Sequence, residues 1–142
     1  SRRCQGFSDA LERKNIPVSS EHIYDLEKMG PEDIIDSTQN DKEPPTGIFA
    51  FSDEFPMQLY GAASQKSFPI PDRLSVIGFD DLPAGRSLPA PLTTIRQDIY
   101  KKAKEACRIL FEHISQPDKP SESVVLDVQL IERESVKDIP EI

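Results

Sequence analysis

The chain has 142 residues and a net charge of −8, from 25 acidic against 17 basic residues. That length suits one domain with a core of its own. With 37% hydrophobic and 30% charged residues it reads as an ordinary soluble globular chain. The acidic balance argues against direct contact with nucleic acid, which needs a basic face, and no apolar run is long enough to span a bilayer.

The chain begins at Ser1 rather than a methionine, so a piece of a longer protein is expected. SRRCQGF carries charge but no apolar stretch, so no signal peptide is visible. Cys4 and Cys107 are far apart and form no CxxC. Two buried or half-buried free thiols in a reducing cytosol are the favoured reading.

Residues 3–14 place Phe7, Ala10 and Leu11 on one helical face, ending near Asn15 and Pro17. His22–Leu26 is expected to be a short strand. Gly30–Pro31–Glu32–Asp33 starts a helix, with proline early and acids in the first turn. After the polar linker Asn40–Pro45, GIFAF at 47–51 reads as a buried strand. Either Ser52 or Asp53 can cap the helix that follows through Tyr60, Ala62 and Ala63; Pro56 is tolerated in its first turn. Pro69 and Pro71 then aim the chain into LSVIGFDD at 74–81, a buried strand ending in two adjacent carboxylates. PLTTIRQ at 91–97 is a second extended segment. Ile99–Ile114 is the clearest helix: Ile99, Ala103, Ala106, Cys107, Leu110, Phe111 and Ile114 share one face. Val124, Leu126, Val128 and Leu130 alternate as a half-buried strand, and the tail from Lys137 is expected to fray. Alternating helices and strands predict an α/β domain with a largely parallel sheet flanked by helices.

Small ligands bind at the carboxyl ends of parallel strands, which singles out Asp80 and Asp81. Being adjacent, the two acids point to opposite sides, so they are poorly placed to act as an acid/base pair. One is expected to cap the following turn and the other to face a crevice. Arg3 is either an ordinary exposed arginine or a forked donor reaching into a cleft. Ser52 is a helix cap, or a cap that also contacts ligand. Phe51, Phe55 and Phe79 are assigned to the core rather than to a stacking platform. His22 and His113 have no neighbours at metal-ligand spacing. No Gly-rich phosphate loop, GxSxG or HExxH is present, so no enzyme constellation, metal or cofactor is expected.

RCQGF at 3–7, GIFAFSDEFPMQLY at 47–60, IPDRLSVIGFDD at 70–81, PLTTIRQDIYKKAKEA at 91–106 and LIERESV at 130–136 together resemble the effector-binding domain of LacI/GalR-type bacterial transcriptional regulators. The resemblance implies a periplasmic-binding-protein-like fold, in which two α/β lobes close on a small effector such as a sugar or other metabolite. It also implies a cytoplasmic homodimer whose separate N-terminal helix-turn-helix, absent from this chain, reads operator DNA. By position, Arg3, Ser52, Asp53, Asp80 and Gln97 match effector-contacting positions. Ser52 stands where asparagine is frequent. Leu26 stands where several sugar-binding members carry an aromatic, and the chain has no tryptophan. These departures point to an effector other than a typical hexose, or to weak binding. A periplasmic sugar-binding protein of a transport system is the alternative sharing the fold, with an enzyme of similar architecture a distant third.

The resemblance assigns residues 1–97 to the C-terminal lobe, incomplete at its start. Residues 98–122 are a helix and connection belonging to the N-terminal lobe, and 123–142 the return strand and tail. Such a piece lacks the sheet that its long helix should cover. It is expected to associate, to swap domains or to fold only in its C-terminal lobe, and to bind effector poorly alone.

Overall fold

The computed structural model describes residues 2–138. Its elements run α1 (Arg2–Arg13), a 3₁₀ turn (Ser20–His22), α2 (Pro31–Asn40), β1 (Gly47–Phe49), α3 (Glu54–Gln65), β2 (Ser75–Phe79), a 3₁₀ turn (Pro83–Ser87), β3 (Thr93–Gln97), α4 (Ile99–Ser115) and β4 (Val128–Ile131). The strands form one sheet in the order β1-β2-β3-β4. β1, β2 and β3 are parallel, with Ile48 opposite Val76 and Gly78 opposite Thr94; β4 runs antiparallel to β3. The α/β architecture and the helix-flanked, mostly parallel sheet match the sequence reading.

The core lies between the sheet and α2–α3. Ile34 and Ile35 of α2 meet Leu59, Ala62 and Ala63 of α3 over Leu74, Val76 and Leu92, all essentially inaccessible. Burying each large aliphatic side chain stabilises the fold by about 1.5–3 kcal/mol. Polar stitches close the layer. Tyr60 donates its hydroxyl hydrogen to the Ala90 carbonyl at 2.7 Å. Ser135, from the LIERESV segment, accepts from the Thr93 N–H at 2.7 Å and donates to the Val76 carbonyl at 2.6 Å, while the Val76 N–H bonds back to the Ser135 carbonyl at 2.8 Å.

Several expectations are corrected. His22–Leu26 is not a strand. Its burial does alternate, with Tyr24 and Leu26 packed on the core, but among the described residues no strand pairs with it. Its carbonyls and acids close turns instead: Asp25 accepts from the N–H groups of Glu27, Lys28 and Met29. The strand at 47–51 ends at Phe49, and Phe51 is 53% exposed rather than core, whereas Phe55 is buried as expected. The PLTTIRQ segment is a genuine central strand. The Val124–Leu130 strand begins only at Val128, and both Val128 and Leu130 are more exposed than a half-buried strand requires. Cys4 and Cys107 are exposed, not buried. Lys137 is held at Ser75 and Asp72, so fraying does not start there; residues 139–142 of the expected tail lie outside the described residues. The apolar stripe of α4 does stand open: Leu110, Phe111 and Ile114 are each more than half exposed. Arg108 anchors the following loop to the other side of α4 through Glu105, Glu112 and Glu122. Hydrogen bonds from this guanidinium to Glu122, then to Glu105 and Glu112, push its pKa further up.

Candidate functional site

Three distant segments meet at the carboxyl ends of the parallel strands. The N-terminus of α1 brings Arg3, Asp80 follows directly on β2, and β3 ends at Gln97. The Arg3 guanidinium donates from Nη1 to the Phe51 carbonyl, lies 3.8 Å from the Phe79 ring centroid, and places Nη2 4.0 Å from Asp80 Oδ1. Gln97 Nε2 donates to the same Asp80 oxygen at 2.6 Å. Phe7 stacks on Phe49 with centroids 5.1 Å apart, fixing α1 against the sheet so that Arg3 reaches this edge. A polar crevice of about 590 Å³ opens beside Asp80 and Gln97; its wall includes Arg96, Asp98, Lys101 and Asp127 but not Arg3.

The turn after β2 is bent by unusual backbone. Asp80 has φ 116° and Asp81 φ 55°, both in the left-handed half of the map, where non-glycine residues are strained. Neighbouring contacts hold this conformation. The Asp80 N–H bonds to the Ile95 carbonyl at 2.8 Å. The Asp81 side chain, 4% exposed, is gripped by three arginines: Arg96 at 2.6 Å, Arg86 at 3.3 Å, and Arg133. Burial pushes the Asp81 carboxyl upward, but hydrogen bonds from Arg133 and Arg96, with their charges, outweigh it. The net effect holds its pKa below the ordinary carboxylate value. The two acids are therefore divided: Asp80 faces the crevice and Asp81 ties the turn to β3 and the segment after β4.

Asp53 is placed differently from the sequence reading. It occupies the position before α3 but makes no side-chain cap, and it is fully buried. Its carboxylate accepts from Thr94 Oγ1 at 2.6 Å and from the Leu82 N–H at 2.7 Å. Both oxygens are spent inside the protein, so Asp53 supports the floor of the crevice and does not line it. Gly78 is the companion of this carboxylate: a Cβ there would stand 2.1 Å from Asp53 Oδ1. Ser52 lies half-buried in the turn between β1 and α3.

Two residues were missed from sequence. Phe51 looks like core inside GIFAF, yet it is exposed and its main-chain carbonyl accepts from Arg3. Arg133 was assigned no role; its distance from Asp81 along the chain hides the pairing.

Residues 1–136 match the family model of the periplasmic binding protein-like domain. The repressor PurR of Mannheimia succiniciproducens is 33% identical over 140 residues, covering 96% of this chain and 42% of that protein. A LacI-family transcriptional regulator of Enterococcus faecium, solved with bound ribose, superposes with a TM-score of 0.73 at 26% identity, over 94% of this chain and 50% of that one. A LacI transcriptional regulator of Bacillus cereus subsp. cytotoxis shares the fold at a TM-score of 0.83 and 24% identity, covering 95% of this chain and 49% of that one. This chain thus spans less than half of the curated relative's length. It belongs to the periplasmic binding protein-like domain family, as part of a LacI-family effector-binding domain.

Proposed function

We propose that this chain is the effector-sensing and dimerising part of a LacI/GalR-type repressor. In this reading a small metabolite, a sugar or a related molecule, binds at the Arg3–Asp80–Gln97 edge. Ser52 lies beside that edge. Closure of a second lobe over the edge controls operator binding by a separate helix-turn-helix. Residues 1–97 are the C-terminal lobe; 98–122 belong to the other lobe and 123–142 return from it. The module binds and does not catalyse, and it works in the cytoplasm as a homodimer. Among the described residues no helix is long and apolar enough to cross a membrane.

The observation that carries this reading is the convergence of Arg3, Asp80 and Gln97 from three segments onto one carboxyl-terminal sheet edge. The relatives named above are repressors and regulators, which favours this reading over a transport protein. A thermal-shift screen of the intact protein against pentoses, hexoses, nucleosides and nucleobases tests it. A true effector raises the melting temperature of the wild type but not of Asp80→Ala or Arg3→Ala. Equal stabilisation of all three proteins would refute the site. Titration calorimetry on the 142-residue chain alone is expected to give weak binding, because half of the cleft is missing; micromolar affinity would contradict the two-lobe reading.

A further inference from the structure

We infer that the open side of β1 is a slot for one more parallel strand, supplied by the residues just ahead of Ser1 in the intact protein. A largely apolar cavity of about 1130 Å³ lies along β1. One bank is β1 itself; the other is the segment from Ile16 to Leu26. Phe7 and Leu11 of α1 close one face, and Ile34, Phe55 and Leu74 of the core close the other.

The main chain of β1 is only half used. The Thr46 carbonyl accepts from the Ser75 N–H at 2.9 Å, and the Ala50 N–H donates to the Ile77 carbonyl at 2.8 Å. Alternate residues of a strand turn their main-chain groups to opposite sides, so Gly47 and Phe49 turn theirs into the slot. Neither finds a main-chain partner there among the described residues. The far bank is also incomplete. The Tyr24 hydroxyl is buried with no hydrogen-bond partner among the described residues, and residues 22–26 alternate in burial beside no strand. An edge left open in this way is a template for a further strand. Covered on both faces, the occupant must be a short run rich in Val, Ile or Leu. From Gly47 to Phe51 the slot takes about five residues at ~3.3 Å each.

α1 fixes which strand enters and in which direction. Arg3, in its first turn, bonds the Phe51 carbonyl, and Phe7, one turn later, stacks on Phe49. α1 therefore runs back along β1. A strand parallel to β1 ends beside Phe51, where α1 begins, within reach of the about 2–6 residues that join a strand to its following helix. An antiparallel strand would end at Gly47, at the wrong end of the slot. The PurR relative matches this chain over 42% of its own length, so proteins of this kind carry further chain to provide the strand.

Amide exchange tests this. In the intact protein the Phe49 N–H is expected to exchange at least about a hundredfold more slowly than in the 142-residue chain carrying Phe111→Glu, which keeps α4 from associating. The Ala50 N–H, bonded to Ile77 in both, reports general stabilisation and should slow less. Lengthening the short chain by the roughly ten residues that precede Ser1 should restore slow exchange, and a proline at the centre of that stretch, in either protein, should abolish it. If the short chain fails to fold, folding restored by the addition and lost with the proline carries the same conclusion. Fast Phe49 exchange in the intact protein, or protection that survives the proline, overturns the inference. So does protection in the short chain that fades on dilution, which would put a second copy in the slot. The effector site stands or falls separately, on ligand binding.

Discussion

Gly78→Ala probes the buried floor of the site. A methyl group at that position stands 2.1 Å from Asp53 Oδ1 and 2.9 Å from Leu92 Cδ2, well inside van der Waals contact. A flexible surface side chain could swing away, but Asp53 is fully buried and short. Moving its carboxylate breaks the bonds from Thr94 Oγ1 at 2.6 Å and the Leu82 N–H at 2.7 Å. Hydrogen bonds to a charged group are worth about 1.5–3 kcal/mol each, so the expected loss is about 3–6 kcal/mol. That is a large share of the roughly 5–15 kcal/mol that holds a domain together. Urea unfolding followed by circular dichroism measures the loss as a lower midpoint at unchanged slope. A double-mutant cycle isolates the cause: in an Asp53→Ala background, Gly78→Ala should cost clearly less than in the wild type, leaving only the contact with Leu92 Cδ2 at 2.9 Å. A loss below about 1 kcal/mol in the wild type, or the same loss in both backgrounds, would refute the proposed clash.

Other consequences are testable in the same way. Asp81 has its folded pKa lowered, so its contribution to stability is complete above the unfolded carboxylate value near about 4 and disappears as pH falls through the folded value. Asp81→Asn should therefore flatten the acid limb of a stability–pH profile below about pH 4, and an unchanged limb would argue against the arginine grip. Ser135→Ala leaves the Thr93 N–H and Val76 carbonyl without their side-chain partner, and should cost about 2–4 kcal/mol by chemical denaturation. Phe111 is 66% exposed on the open face of α4. The 142-residue chain is expected to self-associate at micromolar concentration, and Phe111→Glu should shift its sedimentation coefficient towards the monomer.

Much of this architecture is legible locally. Apolar spacing marks α1 and α4, Pro31 with its following acids marks the start of α2, and the apolar run before Asp80 marks β2. What escapes is whatever depends on distant partners. His22–Leu26 has the alternation of a strand, but alternation reports burial of one face and says nothing of a neighbour to complete the ladder. Asp53 reads as a cap because its neighbours in sequence start a helix; the groups that claim it, Leu82 and Thr94, lie 29 and 41 residues away. Phe51 sits in a uniformly apolar run, so only the end of the strand two residues earlier reveals that it leaves the core. At the site, Arg3 and Asp80 are suggested by residue type and place, whereas their approach to 4.0 Å is visible only in three dimensions.

The stitch at Ser135 bears on how the protein is made. Val76 and Ser135 bond to each other in both directions, and 59 residues separate them. During synthesis β1, α3 and β2 leave the ribosome long before the residue that seals them. Until Ser135 arrives, the starts of β2 and β3 carry unpaired main-chain groups and an open edge, a vulnerable state for an apolar sheet. Closure over so long a separation also slows folding. The nascent sheet therefore waits on its latest element, and the cell's chaperones have the longest opportunity to meet it during that interval.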